Sequence, residues 1–180
     1  MRILKENCVA LVIDYQEKLI PAMSGIDSLL ERSEILLKGL NALEVPMIVS
    51  QQYPRGLGQT LPQILEASGG APTFDKASFS LWDDEALRGA IEASGKKTVM
   101  ICGVEAHVCV LQTAVDLLEN GYQVVMVDDC ISSRRPSDKE IAMKRAMHEG
   151  ATLTTSEAIL FELQRISGTP TFKTISKLVK

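Results

Sequence analysis

Short apolar runs rich in β-branched residues, separated by stretches of helical periodicity, constrain this chain more than any other feature. The first, Cys8-Val9-Ala10-Leu11-Val12-Ile13, is apolar without alternation and is closed by Asp14-Tyr15-Gln16. A strand with one wet face alternates apolar and polar side chains; a strand covered on both faces does not. This run therefore reads as a buried central strand. Leu29, Leu36, Leu40 and Leu43 then share one helical face, Pro46 intervenes, and Met47-Ile48-Val49 follows as a second strand. Leu87, Ala90 and Ile91 mark a helix stopping near Gly95, and Thr98 to Cys102 is the next strand, ending at Gly103. From about Val108 a helix buries Val110, Leu111, Ala114, Val115 and Leu118 and stops at Gly121. Gln123 to Val127 forms a further strand. Ser137 with Glu140, and Thr154 with Glu157, have the spacing of capping boxes; the first opens a helix ending near Gly150, the second the last helix.

Strand and helix alternating with short connections imply a mainly parallel sheet with helices on both faces, a three-layer Rossmann-like α/β fold. The 180 residues fit a single domain, 1–180, able to bury roughly 70% of the surface its unfolded form exposes. One connection is long: Pro54 to Pro72 is rich in glycine and proline and reads as a loop with one helical turn near Leu61 to Leu65. The stretch Phe172 to Val179 carries apolar residues with no room on a sheet already covered, which points to a homo-oligomer.

Acidic residues outnumber basic ones by 23 to 19, a net charge of −4. The basic residues form no run longer than a pair such as Arg134-Arg135, so a broad nucleic-acid-binding face is excluded. No apolar stretch approaches the roughly 18 residues of a membrane span, and the amino terminus has no leader-like apolar region. The four cysteines form no CxxC pair, which fits a reducing cytoplasm better than a disulfide scaffold. The expectation is a cytoplasmic protein acting on a small molecule, with neither nucleic acid nor membrane as partner.

Open parallel sheets bind ligands beyond the carboxyl ends of their strands, where Asp14, Gln51, Gln52, Glu105 and Asp128 fall. A strand-end aspartate serves as structural cap or as functional group about equally often, and Asp14 alone decides nothing. Cys109 lies six residues past Gly103, at the start of a helix, where unpaired N–H groups favour a thiolate. A small buried hydrophobe is the competing reading for Cys109 and the default for Cys8, Cys102 and Cys130. His107 is too near in sequence to face Cys109 from a helix start, and His148 belongs to the surface of a later helix. Lys76 lies in Thr73 to Phe79, a stretch that fits one more strand leading into a loop, and a lone lysine is ordinarily solvated. No Asp-x-His, His-x-x-x-His or GxGxxG pattern is present, so neither a metal nor a dinucleotide cofactor is expected. Gly-Leu-Gly at 56–58 reads as a loop element.

Three segments together resemble the isochorismatase-like cysteine hydrolases. Leu11-Val12-Ile13-Asp14-Tyr15-Gln16 is similar to the family's first strand with its catalytic aspartate. Lys76-Ala77-Ser78-Phe79 resembles the segment of the catalytic lysine, and Cys102-Gly103-Val104-Glu105-Ala106-His107-Val108-Cys109-Val110 the nucleophile segment. The likeness runs in order from Cys8 to about Leu163. It implies a six-stranded parallel sheet, a triad of Asp14, Lys76 and Cys109, a cis peptide between Val104 and Glu105, and an oxyanion hole from the N–H groups of Glu105 and Cys109. Gln16, Gln52, Tyr53, Phe79 and Trp82 are the candidate substrate-binding residues. Ser50-Gln51-Gln52-Tyr53-Pro54 stands where nicotinamidases carry an Asp-x-His metal site. Glu105 replaces a threonine common in the family, and Gln52 to Gly58 most resembles the isochorismatase domain-containing protein 2 subgroup.

The activity so implied is hydrolysis of a small amide, carbamoyl or related planar C–N substrate through a thioester on Cys109. With Lys76 and a helix terminus both favouring the anion, the Cys109 thiol is expected below its ordinary pKa of about 8.5 and alkylated at pH 6 to 7 ahead of the other cysteines. A catalytically silent interaction protein keeping the fold is the alternative, and a thiol redox sensor ranks last, because Cys102 points into the core.

Overall fold

The computed structural model describes residues 2–180. Six strands, β1 (Cys8–Ile13), β2 (Met47–Gln52), β3 (Thr73–Lys76), β4 (Thr98–Val104), β5 (Gln123–Ser132) and β6 (Thr152–Thr154), form one sheet in the order β3-β2-β1-β4-β5-β6. Every pairing is parallel. Eight helices flank it: α1 (Ile26–Ala42), α2 (Pro54–Leu57), α3 (Pro62–Ala67), α4 (Glu85–Ala93), α5 (Leu111–Glu119), α6 (Pro136–Glu149), α7 (Ser156–Gln164) and α8 (Pro170–Leu178).

The unbroken apolar run of β1 is explained by two cores. Cys8, Ala10 and Val12 face one, with Leu36, Leu37 and Leu40 of α1 and Ile159 and Leu160 of α7. Val9, Leu11 and Ile13 face the other, with Leu87 and Ile91 of α4, Ala114 and Leu117 of α5, and Ala146 of α6. All six β1 residues are buried, as period-two alternation between two dry faces requires.

Several local expectations are corrected. The 54–72 connection contains α2 and α3, each opened by a proline at its first turn, where the missing N–H costs nothing. Gly56 and Leu57 thus belong to a helical turn. Ser137 caps nothing: α6 starts one residue earlier at Pro136, with Arg135 at the cap position and no side-chain bond. The cap of α7 is Thr155, which accepts from the N–H of Ala158, because Thr154 is still in β6, and α7 is not the last helix: α8 follows, capped by Thr169. β5 continues to Ser132, past the polar Asp128 and Asp129; Asp129 is accommodated by accepting bonds from the N–H and hydroxyl of Ser156, 2.7 and 2.6 Å away, at the start of α7. The tail from Phe172 finds a place within its own chain. It forms α8, which packs on α1 and α7 and buries Ile175 completely, and this removes the ground for self-association taken from it.

Gly103 is the tightest point of the sheet. Its φ is +132°, and a Cβ built on it lies 2.1 Å from the carbonyl oxygen of Ile13. Only a glycine lets β4 approach β1 at the residue that precedes Asp14. Gly103→Ala is expected to lower stability by about 1–3 kcal/mol or more, the usual range for overpacking a rigid site, since backbone and not a flexible side chain must give way. Urea unfolding checks this, and an unchanged midpoint contradicts it.

Candidate active site

Strand order reverses between β1 and β4, which places a crevice beyond their carboxyl ends. Asp14 follows β1 immediately, and Glu105 follows β4. Lys76 ends β3 opposite Gln52 of β2, and its long stem carries the ammonium back toward β1. Asp14 has a left-handed backbone, φ 55°, a conformation aspartate tolerates better than most residues. Its N–H donates to Ser50 O at 3.2 Å, and its Oδ1 accepts from the Ser50 hydroxyl at 2.7 Å. Its Oδ2 accepts from Lys76 Nζ at 2.8 Å, with both side chains at 0% exposure. A fully buried ion pair is costly to desolvate unless further hydrogen bonds complete it. Here they do: Lys76 Nζ also donates to Gln52 Oε1 at 2.6 Å and Ser78 O at 3.2 Å, and lies 3.5 Å from Cys109 Sγ.

Cys109 sits in a π-helical turn, Ala106–Val110, that leads into α5. Thr113 pins it, donating its hydroxyl to Cys109 O at 2.7 Å and accepting from the N–H of Leu81 at 3.0 Å, so the 78–82 segment and the nucleophile turn share one hydroxyl. The Asp14 carboxylate is close enough for its charge to act on the thiol. Burial, then the charge of Asp14, push the Cys109 thiol up from about 9 to about 12, with Lys76 opposing them. The expected low thiol pKa is therefore not met: loss of solvent and the charge of a nearby carboxylate outweigh one ammonium and a helix start. The site thus joins Asp14 and Lys76 in a buried ion pair and sets the Cys109 sulfur against the same Lys76 nitrogen. Cys8 is pushed to about 11 and Cys102 to about 12, and Cys130 also rises, all chiefly by burial. Cys109 is 6% exposed against 1% or less for those three, so it stands apart by access and not by acidity.

The other candidate residues separate into groups. Gln16 is fully buried and both ends of its amide bond main chain, so it is a clamp and not a substrate contact. Gln52 spends its amide on Lys76 and on Ala77 O. Tyr53 and Phe79 are 59% and 53% exposed on either side of Lys76 in sequence. The Tyr53 ring lies over Gly56, where a Cβ would meet it at 2.4 Å. Trp82 packs edge-on against Tyr122, centroids 5.5 Å apart; Tyr122 precedes β5, at the amino end of the sheet, so Trp82 faces away from the crevice. The Val104–Glu105 peptide is cis. The Glu105 carboxylate is held by Arg134, whose N–H and Nε donate at 3.0 and 3.1 Å. His107 Nδ1 pairs with the Ser133 hydroxyl at 3.0 Å, and His148 is exposed. Gln51 is occupied by Thr60 and Asp75, and Asp128 pairs with Lys139. Ser50 and Thr113 were not singled out from sequence; a lone serine at the end of an apolar strand is the one signal that marks Ser50.

Among the described residues, no group of three or more His, Cys, Asp or Glu side chains is placed to hold a metal. Nor is any helix there long and apolar enough to cross a membrane. A half-open cavity of about 480 Å³ between α1, β5 and α6, lined by Leu29, Ile131, Met143, Met147 and Leu153 among others, shares no residue with the Asp14, Lys76 and Cys109 cluster.

A family model described as the isochorismatase domain matches residues 8–158. The chain belongs to the isochorismatase family. It is 37% identical over 180 residues to isochorismatase domain-containing protein 2A of Mus musculus, covering 99% of this chain and 85% of that one. It is 40% identical over 167 residues to isochorismatase domain-containing protein 1 of Salmo salar, covering 93% of this chain but only 59% of that relative. A solved structure named MAR1 ribonuclease, from Caenorhabditis elegans, is 38% identical with a TM-score of 0.93, over 99% of this chain and 92% of that one. YcaC from Pseudomonas aeruginosa, solved with hexane-2,5-diol and covalent acrylamide, is 26% identical with a TM-score of 0.93, over 98% and 91%. The isochorismatase-family sheet and its flanking helices are thus shared over nearly the whole chain, as the three motifs implied, and the likeness to the domain-containing protein 2 subgroup stands.

Proposed function

We propose that this isochorismatase-family protein is a cysteine hydrolase that cleaves a small amide, carbamoyl or related planar C–N substrate through a thioester on Cys109. The observation that carries this reading is the contact of one buried carboxylate, one buried ammonium and one slightly exposed thiol at the switch point of the sheet. Asp14 takes the thiol proton as sulfur attacks the carbonyl carbon, and Lys76 stabilises the negative charge passing through sulfur. The oxyanion forms against the N–H groups of Glu105 and Cys109. Collapse breaks the C–N bond, and the departing nitrogen takes the proton from Asp14. Water then gives a proton to Asp14 while its oxygen attacks the thioester; the acid leaves and the thiol is restored. Tyr53 and Phe79 frame the entrance.

The relative solved with covalent acrylamide, a reagent that captures nucleophiles through its C=C bond, fits a reactive nucleophile on this fold and leaves amide cleavage to be tested. The relative named a ribonuclease does not redirect it: a net charge of −4 and a nucleophile at 6% exposure suit a small molecule better than a polyanion. The four free cysteines suit a cytoplasmic setting. Ammonia release from a panel of small amides and N-carbamoyl compounds tests the activity, and Cys109→Ala is expected to abolish it. Turnover is also expected to survive a chelator, because Gln51, Gln52 and Tyr53 offer transition metals only weak ligands; loss of bound zinc or iron together with activity would contradict this.

A further inference from the structure

Lys76 is offered more acceptors than it has hydrogens. Its ammonium carries three, and four groups surround it: Gln52 Oε1 at 2.6 Å, Asp14 Oδ2 at 2.8 Å, Ser78 O at 3.2 Å and Cys109 Sγ at 3.5 Å. The oxygens are nearer and are the better acceptors, so sulfur is last in line. The shortest of the four is also the most firmly oriented. Gln52 Nε2 donates to Ala77 O at 2.8 Å, which leaves only the amide oxygen to face Lys76. The main chain of Gln52 is fixed in turn by Gln16, whose Oε1 accepts from the Gln52 N–H at 2.7 Å and whose Nε2 donates to Gln52 O at 2.9 Å. Gln16 lies just past β1, so its side chain adds one more rung between β1 and β2 beyond the last backbone pair, Ile13 with Ser50.

We propose that Gln52 is a positioning residue that draws the Lys76 ammonium onto its own amide oxygen and onto Asp14, and so leaves the Cys109 sulfur only the longest and weakest of the four bonds in the resting site. This rests on the reading of Cys109 as nucleophile, but it concerns the thiol before any substrate arrives. Gln52 then helps keep Cys109 protonated and unreactive until attack, and it leaves the proton where Asp14 can take it.

The test is the rate of iodoacetamide labelling at Cys109 between pH 7 and 9, followed by peptide mapping, which needs no substrate. In Gln52→Leu the third ammonium hydrogen turns to sulfur and labelling accelerates. The gain is about threefold for each unit by which the thiol pKa falls, since a tenfold rise in thiolate is partly offset by weaker nucleophilicity. In Gln52→Glu, nearly isosteric, a second carboxylate holds the ammonium harder and adds its own charge against the thiolate, so labelling slows. General loosening of the site would expose the thiol and accelerate both variants. Opposite signs are therefore the expected result; equal signs, or no change in Gln52→Leu, overturn the assignment. Should Gln52→Leu fail to fold, Gln52→Met, whose thioether is only a weak acceptor, gives the same reading with a smaller gain. If labelling shifts as stated while the wild type hydrolyses no amide, the role of Gln52 stands and the hydrolase reading falls alone.

Discussion

Asp14→Asn will speed alkylation of Cys109 while it abolishes turnover. The two effects have one cause. The Asp14 charge is second only to burial in holding the Cys109 thiol at about 12, so its removal lets Lys76 act on the sulfur with less opposition. Burial remains, and the thiol comes down without reaching its ordinary value. In the wild type the thiolate fraction rises about tenfold with each pH unit below the pKa, so the logarithm of the labelling rate should climb with pH from 7 to 10 without levelling. An ordinary thiol, at about 8.5, would level off within that range. Asp14→Asn should lie above the wild type throughout and bend earlier. Turnover moves the other way, because an amide cannot accept the thiol proton or pass it to the departing nitrogen. General-base groups contribute about 10²–10⁴-fold, and a loss of that size is expected. Slower labelling in Asp14→Asn, or retained turnover, would contradict the role of Asp14.

Lys76→Met will unfold more easily than any other single change in the site. Asp14 is at 0% exposure, and with Lys76 gone the Ser50 hydroxyl is the one side chain among the described residues still hydrogen-bonded to its carboxylate. Removing one member of a buried ion pair typically costs about 3–5 kcal/mol, most of it from the charge left behind. The pair Asp14→Asn with Lys76→Met should recover much of that loss, since no charge then remains buried, and a double-mutant cycle from urea unfolding measures the coupling. A single-variant loss below about 1 kcal/mol, within the range of exposed ion pairs, would show that Asp14 reaches solvent or another donor.

The parts of this molecule that were legible in its sequence are those fixed by periodicity and by strand ends. The unbroken apolar run of β1 announced a strand buried on both faces, and the polar residue directly after it fell where a parallel sheet places its ligands. Boundaries were less legible where a local bond overrides the pattern. β5 runs through two aspartates because Asp129 finds Ser156, a partner 27 residues away in sequence. Ser137 looked like a cap, yet Pro136 had already begun the helix. Lys76, a solvated charge by its local context, is buried because three strand ends converge on it. No spacing rule contains that convergence, and only the likeness to a family supplied it. The thiol was misjudged for a related reason. A helix start and a lysine are visible in one dimension, whereas burial and the nearness of the Asp14 charge exist only in three. Trp82 shows the limit of reading an aromatic near a motif as part of a pocket: it sits six residues past Lys76 and packs on Tyr122 at the opposite end of the sheet.

The most direct test of the account is to look for the bond it requires. A small amide that the protein hydrolyses is mixed with it, quenched in acid within one turnover, and the digest is examined by mass spectrometry. The expected result is an acyl or carbamoyl increment on the peptide containing Cys109, absent from Cys109→Ala, whose turnover falls by about a thousandfold or more. An increment on another residue, or full turnover by Cys109→Ala, would contradict covalent catalysis at this site.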